Sequence, residues 1–336
     1  MPPRCSWRWM ISRAANAVMV DSRTVTRLPA PRGQRLLKQR VLTAIAMLLV
    51  LYAGTAWLSP VMFAGFLSLI LLPALLEWGR LMGLVRDRER LLFVLCFTGI
   101  LSLVIWFLLL PDTGTREQTG LFLTSSLTLN VTGVTVISTL AIVFWIGIFY
   151  FLRRYPRRQE YWQARWRIGL MGLACLLPTW VGFLYLKALA PSGLLVLILV
   201  ALVSVVDIGA YFSGRAWGNA KLAPALSPKK SWAGFWGGLA SCALLTLGLL
   251  TWVHTEYQAL TPLTWIVLLL AALLLAVFSV VGDLFESMLK RHRGLKDSGR
   301  SLPGHGGVLD RIDSLVAATP VFVLAMALLS ARLEVL

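Results

Sequence analysis

"TWIVLLLAALLLAVFSVVGDLFESMLKRHRGLKDSGRSLPGHGGVLDRID", Thr264 to Asp313, decides how this chain folds. Its opening run, 264–282, carries no charge and is long enough to cross bilayer hydrocarbon as a helix, which takes about 20 apolar residues. From Lys290 to Asp313 the chain then places six basic residues, three aspartates and two histidines. A second apolar run follows at 315–333, so the polar stretch joins two membrane spans.

The same pattern governs all 336 residues, of which 58% are hydrophobic and only 14% charged. Soluble domains carry about 25% charged residues, so an all-α polytopic membrane protein is expected. Apolar windows fall near 41–58, 60–77, 92–110, 131–152, 168–186, 193–212, 232–253, 264–282 and 315–333, predicting nine transmembrane helices. Only Ser59-Pro60 separates the first two, either as a tight hairpin or as one span followed by a broken element.

Basic residues test that topology, because Lys and Arg collect on the cytoplasmic side. With a cytoplasmic N-terminus and the C-terminus opposite, only Arg116, Lys187 and Arg332 of the 32 basic residues fall outside. The net charge of +17 then lines the membrane face next to anionic headgroups, and nucleic acid is not an expected partner. The four cysteines, Cys5, Cys96, Cys175 and Cys242, form neither a disulfide framework nor a zinc motif.

Three regions are expected. Residues 1–40 are a basic cytoplasmic extension without a span or signal peptide, either a disordered arm or the product of an upstream start codon. Residues 41–190 are N-terminal membrane helices with few reactive groups; Glu77 there reads as a helix-end carboxylate near Arg80, and "RRYPRRQEYWQARWR", 153–167, as an interfacial stretch. Residues 191–336 hold five of the eight aspartates and are the expected catalytic region, with a site on the cytoplasmic face.

Three clusters there carry chemistry. In "VDIGAYFSGRAWGNAKLAPALSPKKSWAGF", 206–235, Asp207 ends an apolar span, where an ionised carboxylate needs compensation. Tyr211 follows at i+4, and Gly209, Gly214 and Gly218 let another chain or a phosphate approach. "SPKKS" adds Ser227, Lys229 and Lys230 before the seventh span, a place where helix N–H groups and ammonium groups would cradle an anion. In "GDLFESMLKR", 282–291, Asp283, Ser287 and Lys290 or Arg291 share one helix face. In the third, Lys296 and Asp297 precede a tight turn around His305, and Asp310 and Asp313 lie one turn apart. Hard oxygen ligands beside Lys and Arg point to Mg²⁺ with phosphates.

Ser287 to Asp313 resembles the S-x-x-K-R-x₄-K-D-x₅-[LP]-x-H-G-G-x-x-D-R-x-D signature of the phosphatidate cytidylyltransferases, with no signature position missing. "GDLFESMLKR" and "SPKKSWAGF" are also similar to that family, except that Ala233 stands where many relatives carry Glu or Gln. The resemblance covers about 200–336, with a weaker hydropathy match to about residue 36.

The resemblance implies a bacterial inner-membrane enzyme that converts CTP and phosphatidate into CDP-diacylglycerol and pyrophosphate. It implies Mg²⁺, alone or with a second cation, and a homodimer. In this reading Asp283 and Asp310 hold the metal, and Asp207, Asp297 and Asp313 are further ligands or support them. Lys229, Lys230, Lys290, Arg291, Lys296 and Arg311 bind phosphates, joined by Ser227 and Ser287. His305 contacts a phosphate or pyrophosphate, or else stabilises its turn. An ion-coupled transporter is the rival class, but its acids would sit near the midplane rather than at helix ends.

Overall fold

A computed structural model describes residues 32–109, 129–155, 164–302 and 306–333. Nine helices are described: α1 Arg32–Trp57, α2 Pro60–Met82, α3 Asp87–Leu108, α4 Val131–Leu152, α5 Arg165–Leu189, α6 Leu194–Trp217, α7 Trp232–Glu256, α8 Pro262–His292 and α9 Leu309–Leu333. Among the described residues, eight of them, α2 to α9, are long and apolar enough to span a membrane, and the apolar part of α1 is shorter, Leu42–Trp57. The chain is a multi-pass membrane protein. Most of the expected extension, 1–31, and the middle of the expected interfacial stretch, 156–163, lie outside the described residues.

Local chemistry sets the helix ends. Leu58 and Ser59 interrupt α1 and α2: Ser59 is the N-cap of α2, its hydroxyl accepts from Met62 N, and Pro60 takes the first helical position. α2 therefore starts as a separate helix. It ends at Gly83, whose φ of 78° allows a left-handed cap. Asn130, Ser231 and Thr261 cap α4, α7 and α8 in the same way as Ser59.

α5 is the centre of the bundle, packed by α2, α3, α4, α6 and α9. Trp78 of α2 fits against Gly172 and donates its indole N–H to Ile168 O at 2.8 Å. Away from this core the helices expose Leu, Val, Ile and aromatic side chains, as lipid-facing surfaces do.

Two close approaches build the C-terminal half. A Cβ on Gly237 would overlap Ser213 of α6, and one on Gly209 would overlap Ser241 of α7, so α6 and α7 meet backbone to backbone. Gly214 and Gly218 also face Ser231 or their own helix, so in this structure α7 occupies the space the glycines leave. A Cβ on Gly282 would lie 2.3 Å from Asp313 O, which brings α8 and α9 equally close.

One element departs from an all-helical reading. β1 Lys221–Ala223 and β2 Ser227–Ser231 form an antiparallel hairpin between α6 and α7. "SPKKS" is thus a strand leading into α7 rather than part of its first turn.

Candidate active site

α8 has 31 residues, so it is roughly 46 Å long, about 16 Å more than the hydrocarbon is thick. Its last turns stand clear of the apolar run and carry Asp283, Glu286, Ser287 and Lys290. The C-terminal part of α2 and the start of α9 meet it there, and β2 brings Lys230 to it just before α7; Asp207, expected to end its span, approaches from within α6, which continues to Trp217.

One group of charges lies where α6, β2, α8 and α9 converge. Lys230 Nζ reaches Asp283 Oδ2 at 2.5 Å, while Ser287 donates a longer hydroxyl bond, 3.4 Å, to Asp283 Oδ1. Asp207 feels the charges of Lys230, Asp283 and Arg311. Asp313 lies beside both Asp283 and Glu286. Along β2 the chain passes from exposed Pro228 and Lys229 to inward-facing Lys230 and Ser231 as it approaches α7.

The second group fastens the polar loop between α8 and α9. Lys290 Nζ bridges Glu286 Oε2 at 2.8 Å and Asp310 Oδ1 at 2.6 Å. Asp310 Oδ2 accepts from Ser298 N at 2.9 Å, Ser298 Oγ at 3.0 Å and Gly307 N at 2.8 Å. Leu302 N donates to Gly306 O at 2.9 Å; His305 lies outside the described residues.

Glu77 changes role most between sequence and structure. It is 1% exposed and has no ion pair with Arg80 among the described residues. Its carboxylate reaches across the bundle to accept from Ser301 Oγ at 2.6 Å, Val308 N at 3.1 Å and Leu309 N at 2.9 Å, and Ser298 Oγ, at 3.2 Å, shares its one proton between Glu77 and Asp310. The last two N–H groups open α9, where the helix dipole favours an anion. Gly299 and Gly307 have no room for a Cβ because Glu77 fills the space.

Residues 38–329 match the model of the cytidylyltransferase family.

The chain belongs to the cytidylyltransferase family.

It is 39% identical over 287 residues to a phosphatidate cytidylyltransferase of Pseudomonas aeruginosa, covering 85% of this chain and 96% of that one. A phosphatidate cytidylyltransferase of Haemophilus influenzae is 35% identical over 294 residues, covering 85% and 97%. One from Brucella melitensis is 54% identical over 123 residues, covering 37% of this chain and 43% of that one.

For a cytidylyltransferase, the residues named from the sequence divide by place. Asp207, Lys230, Asp283, Arg311 and Asp313 come together. Ser287 adjoins them through Asp283, while Lys290 and Asp310 form the bridge to the loop. Lys296 and Asp297 line a cavity on the α2 side of that loop, and Lys229 and Arg291 are exposed. Ser227 begins β2, paired with Ala223. Asp310, expected at the metal, has both oxygens already bonded, one to Lys290 and one to the loop.

Glu286 was not named from the sequence, and Glu77 was named only as a helix-end carboxylate near Arg80. Glu286 is signalled by its i,i+4 spacing to Lys290, and Glu77 by being a carboxylate at the end of an apolar span.

Mg²⁺ needs only one or two protein carboxylates, since water and substrate phosphates complete its shell. Asp207, Asp283 and Asp313 supply hard oxygen donors of that kind, and Lys230 now sits against one of them as a neutralising cation. Among the described residues, no three His, Cys, Asp or Glu side chains form a metal site by themselves. Asp207, Asp283 and Asp313 are the residues here that could hold a cation completed by phosphate and water.

Proposed function

We propose that this protein transfers the cytidylyl group of CTP to phosphatidate, forming CDP-diacylglycerol and pyrophosphate at the cytoplasmic face of a bacterial inner membrane. The gathering of Asp207, Asp283 and Asp313 with Lys230 and Arg311 at the end of the bundle carries this reading. Relatives named for that activity, alike over 85% of the chain, support it.

The lipid phosphate is a monoester with a second pKa of about 6, so it is largely dianionic at neutral pH and needs no general base. One of its oxygens forms the new bond to the α-phosphorus of CTP. The bond from that phosphorus to the oxygen bridging to the β-phosphate breaks, and pyrophosphate departs with the electron pair. Bringing two polyanions together is the main barrier, and fixed positive charge lowers it. Lys230 and Arg311 stand at the acids, and Lys290 ties the acids of α8 to the loop.

Mg²⁺, when bound, supplies charge neutralisation and polarises the phosphoryl oxygens. Asp283 and Asp310 are its proposed holders, with Asp207 and Asp313 close by; at Asp310 the cation would take the place of the Lys290 ammonium. Lys229, Arg291, Ser227 and Ser287 are proposed phosphate contacts around this centre, as is His305, whereas Lys296, expected among them, lines the cavity on the α2 side of the loop. Nine spans, a cytoplasmic N-terminus and a homodimer complete the proposal.

Purified protein given radiolabelled CTP, Mg²⁺ and a panel of lipid phosphates should form CDP-diacylglycerol from phosphatidate. EDTA should stop the reaction and added Mg²⁺ restore it. Absence of any CDP-lipid across the panel would overturn the proposal.

A further inference from the structure

Between the α2–α3 turn and the loop after α8 lies a cavity of about 710 Å³. Arg80, Arg90, Arg293, Lys296 and Arg300 all line it, against one acid, Asp297. Two of these cations are held in place by backbone. Arg293 donates through Nε to Leu81 O at 2.7 Å and through a terminal nitrogen to Met82 O at 2.5 Å. Arg90 donates to Leu84 O at 2.9 Å and lies 3.5 Å from Asp87.

The other three have no such compensation. Among the described residues no carboxylate lies within 4.0 Å of the side-chain nitrogens of Arg80, Lys296 or Arg300. Burial, and to a lesser degree the Arg165 guanidinium, lower Arg293 from the usual guanidinium value. Basic residues on an inner face are also plain topology signals. Topology alone, however, does not require guanidinium groups fixed by carbonyls around a shared cavity. An anion entering it would relieve the repulsion and find planar donors suited to phosphate.

We propose that this cavity binds a phosphate group, on the opposite side of the Glu77-anchored loop from the Asp283 carboxylate. Its source is a lipid headgroup or a free phosphate; both present the same oxygens. The exposed apolar side chain of Val85 beside the cavity and the position of Arg80 in the last turn of α2 place the site at headgroup depth. Because Ser298 and Gly299 also line the cavity, an occupant would clamp the loop to the α2–α3 turn.

The test uses the full chain in phosphatidylcholine vesicles, alone, mixed with phosphatidylglycerol, or with inorganic phosphate added. Thermal unfolding and hydrogen exchange across 293–302 are followed for the wild type, the Arg80→Gln/Arg300→Gln double variant and Arg300→Glu. Phosphatidylglycerol or phosphate should stabilise the wild type and slow exchange in the loop. The variants should match the wild type in phosphatidylcholine alone and need about tenfold more anion for the same protection. Protection by phosphatidylglycerol only assigns the site to headgroups, and protection by phosphate only assigns it to free anions. Equal protection of wild type and variants in both arms, or none in either, would overturn the proposal. These readouts need no turnover, so cytidylyl transfer measured in the same vesicles tests the proposed activity separately.

Discussion

Glu77 shows how burial and hydrogen bonding balance for one residue. Removing a carboxylate from water costs several kcal/mol, and here no cation repays it among the described residues. Ser301 and two N–H groups at the opening of α9 offset it instead, with Ser298 shared between Glu77 and Asp310. Hydrogen bonds to a charged group contribute about 1.5–3 kcal/mol each, the same order as the cost. Glu77→Gln keeps the shape but replaces one accepting oxygen with a donor facing other donors. It should lower the unfolding midpoint and speed hydrogen exchange across 298–309, whereas Arg80→Gln, at the supposed partner, should leave that exchange unchanged in phosphatidylcholine vesicles. Asp283→Asn and Asp310→Asn should each reduce CDP-diacylglycerol formation on the order of a hundredfold or more. Asp283→Asn should do so with loop exchange unaltered, while Asp310→Asn should also loosen the loop that its oxygens hold. Near-normal activity in either variant would remove that carboxylate from the centre.

Among the elements, the contact between α8 and α9 is the most constrained. Gly282 precedes Asp283, and a Cβ there would press on Asp313 O, which is backbone and cannot swing away. The missing side chain is what lets the two aspartates share one site. Gly282→Ala should therefore lose both activity and thermal stability, while Gly147→Ala, where a Cβ meets nothing within 4 Å, should change neither. Detergent-solubilised unfolding curves and turnover for both variants test this. The sequence showed the glycines near Asp207 as places of close approach. It could not show that α7 would be the visitor, because that depends on which two helices pack.

Taken whole, the molecule places its polar loop at the end of the bundle where α2 and α6 finish and α9 begins. If that end is cytoplasmic, a cysteine at Arg300 should react with an impermeant reagent only after cells are opened. One at Gln258, between α7 and α8, should react from outside. The Arg300→Cys and Gln258→Cys measurements, made after replacing the four native cysteines with alanine, would reverse if the protein is inserted the other way.

The sequence by itself determined the spans, because length and apolarity are local properties that a bilayer reads directly. The windows at 131–152 and 232–253 coincide closely with α4 and α7; Asp207 and Asp313 each interact with Asp283, whereas Asp297 lines a separate cavity and Asp310 is bonded to the loop. The sequence also exposed the family, through a signature carried by one continuous stretch. Only the tertiary structure decided that Lys230 rather than Lys229 meets Asp283, and that Glu77 holds a loop 221 residues away. Those outcomes rest on how β2 enters α7 and on helix packing. A carboxylate's partner is chosen by which donors arrive beside it in space, and chain position alone does not encode that.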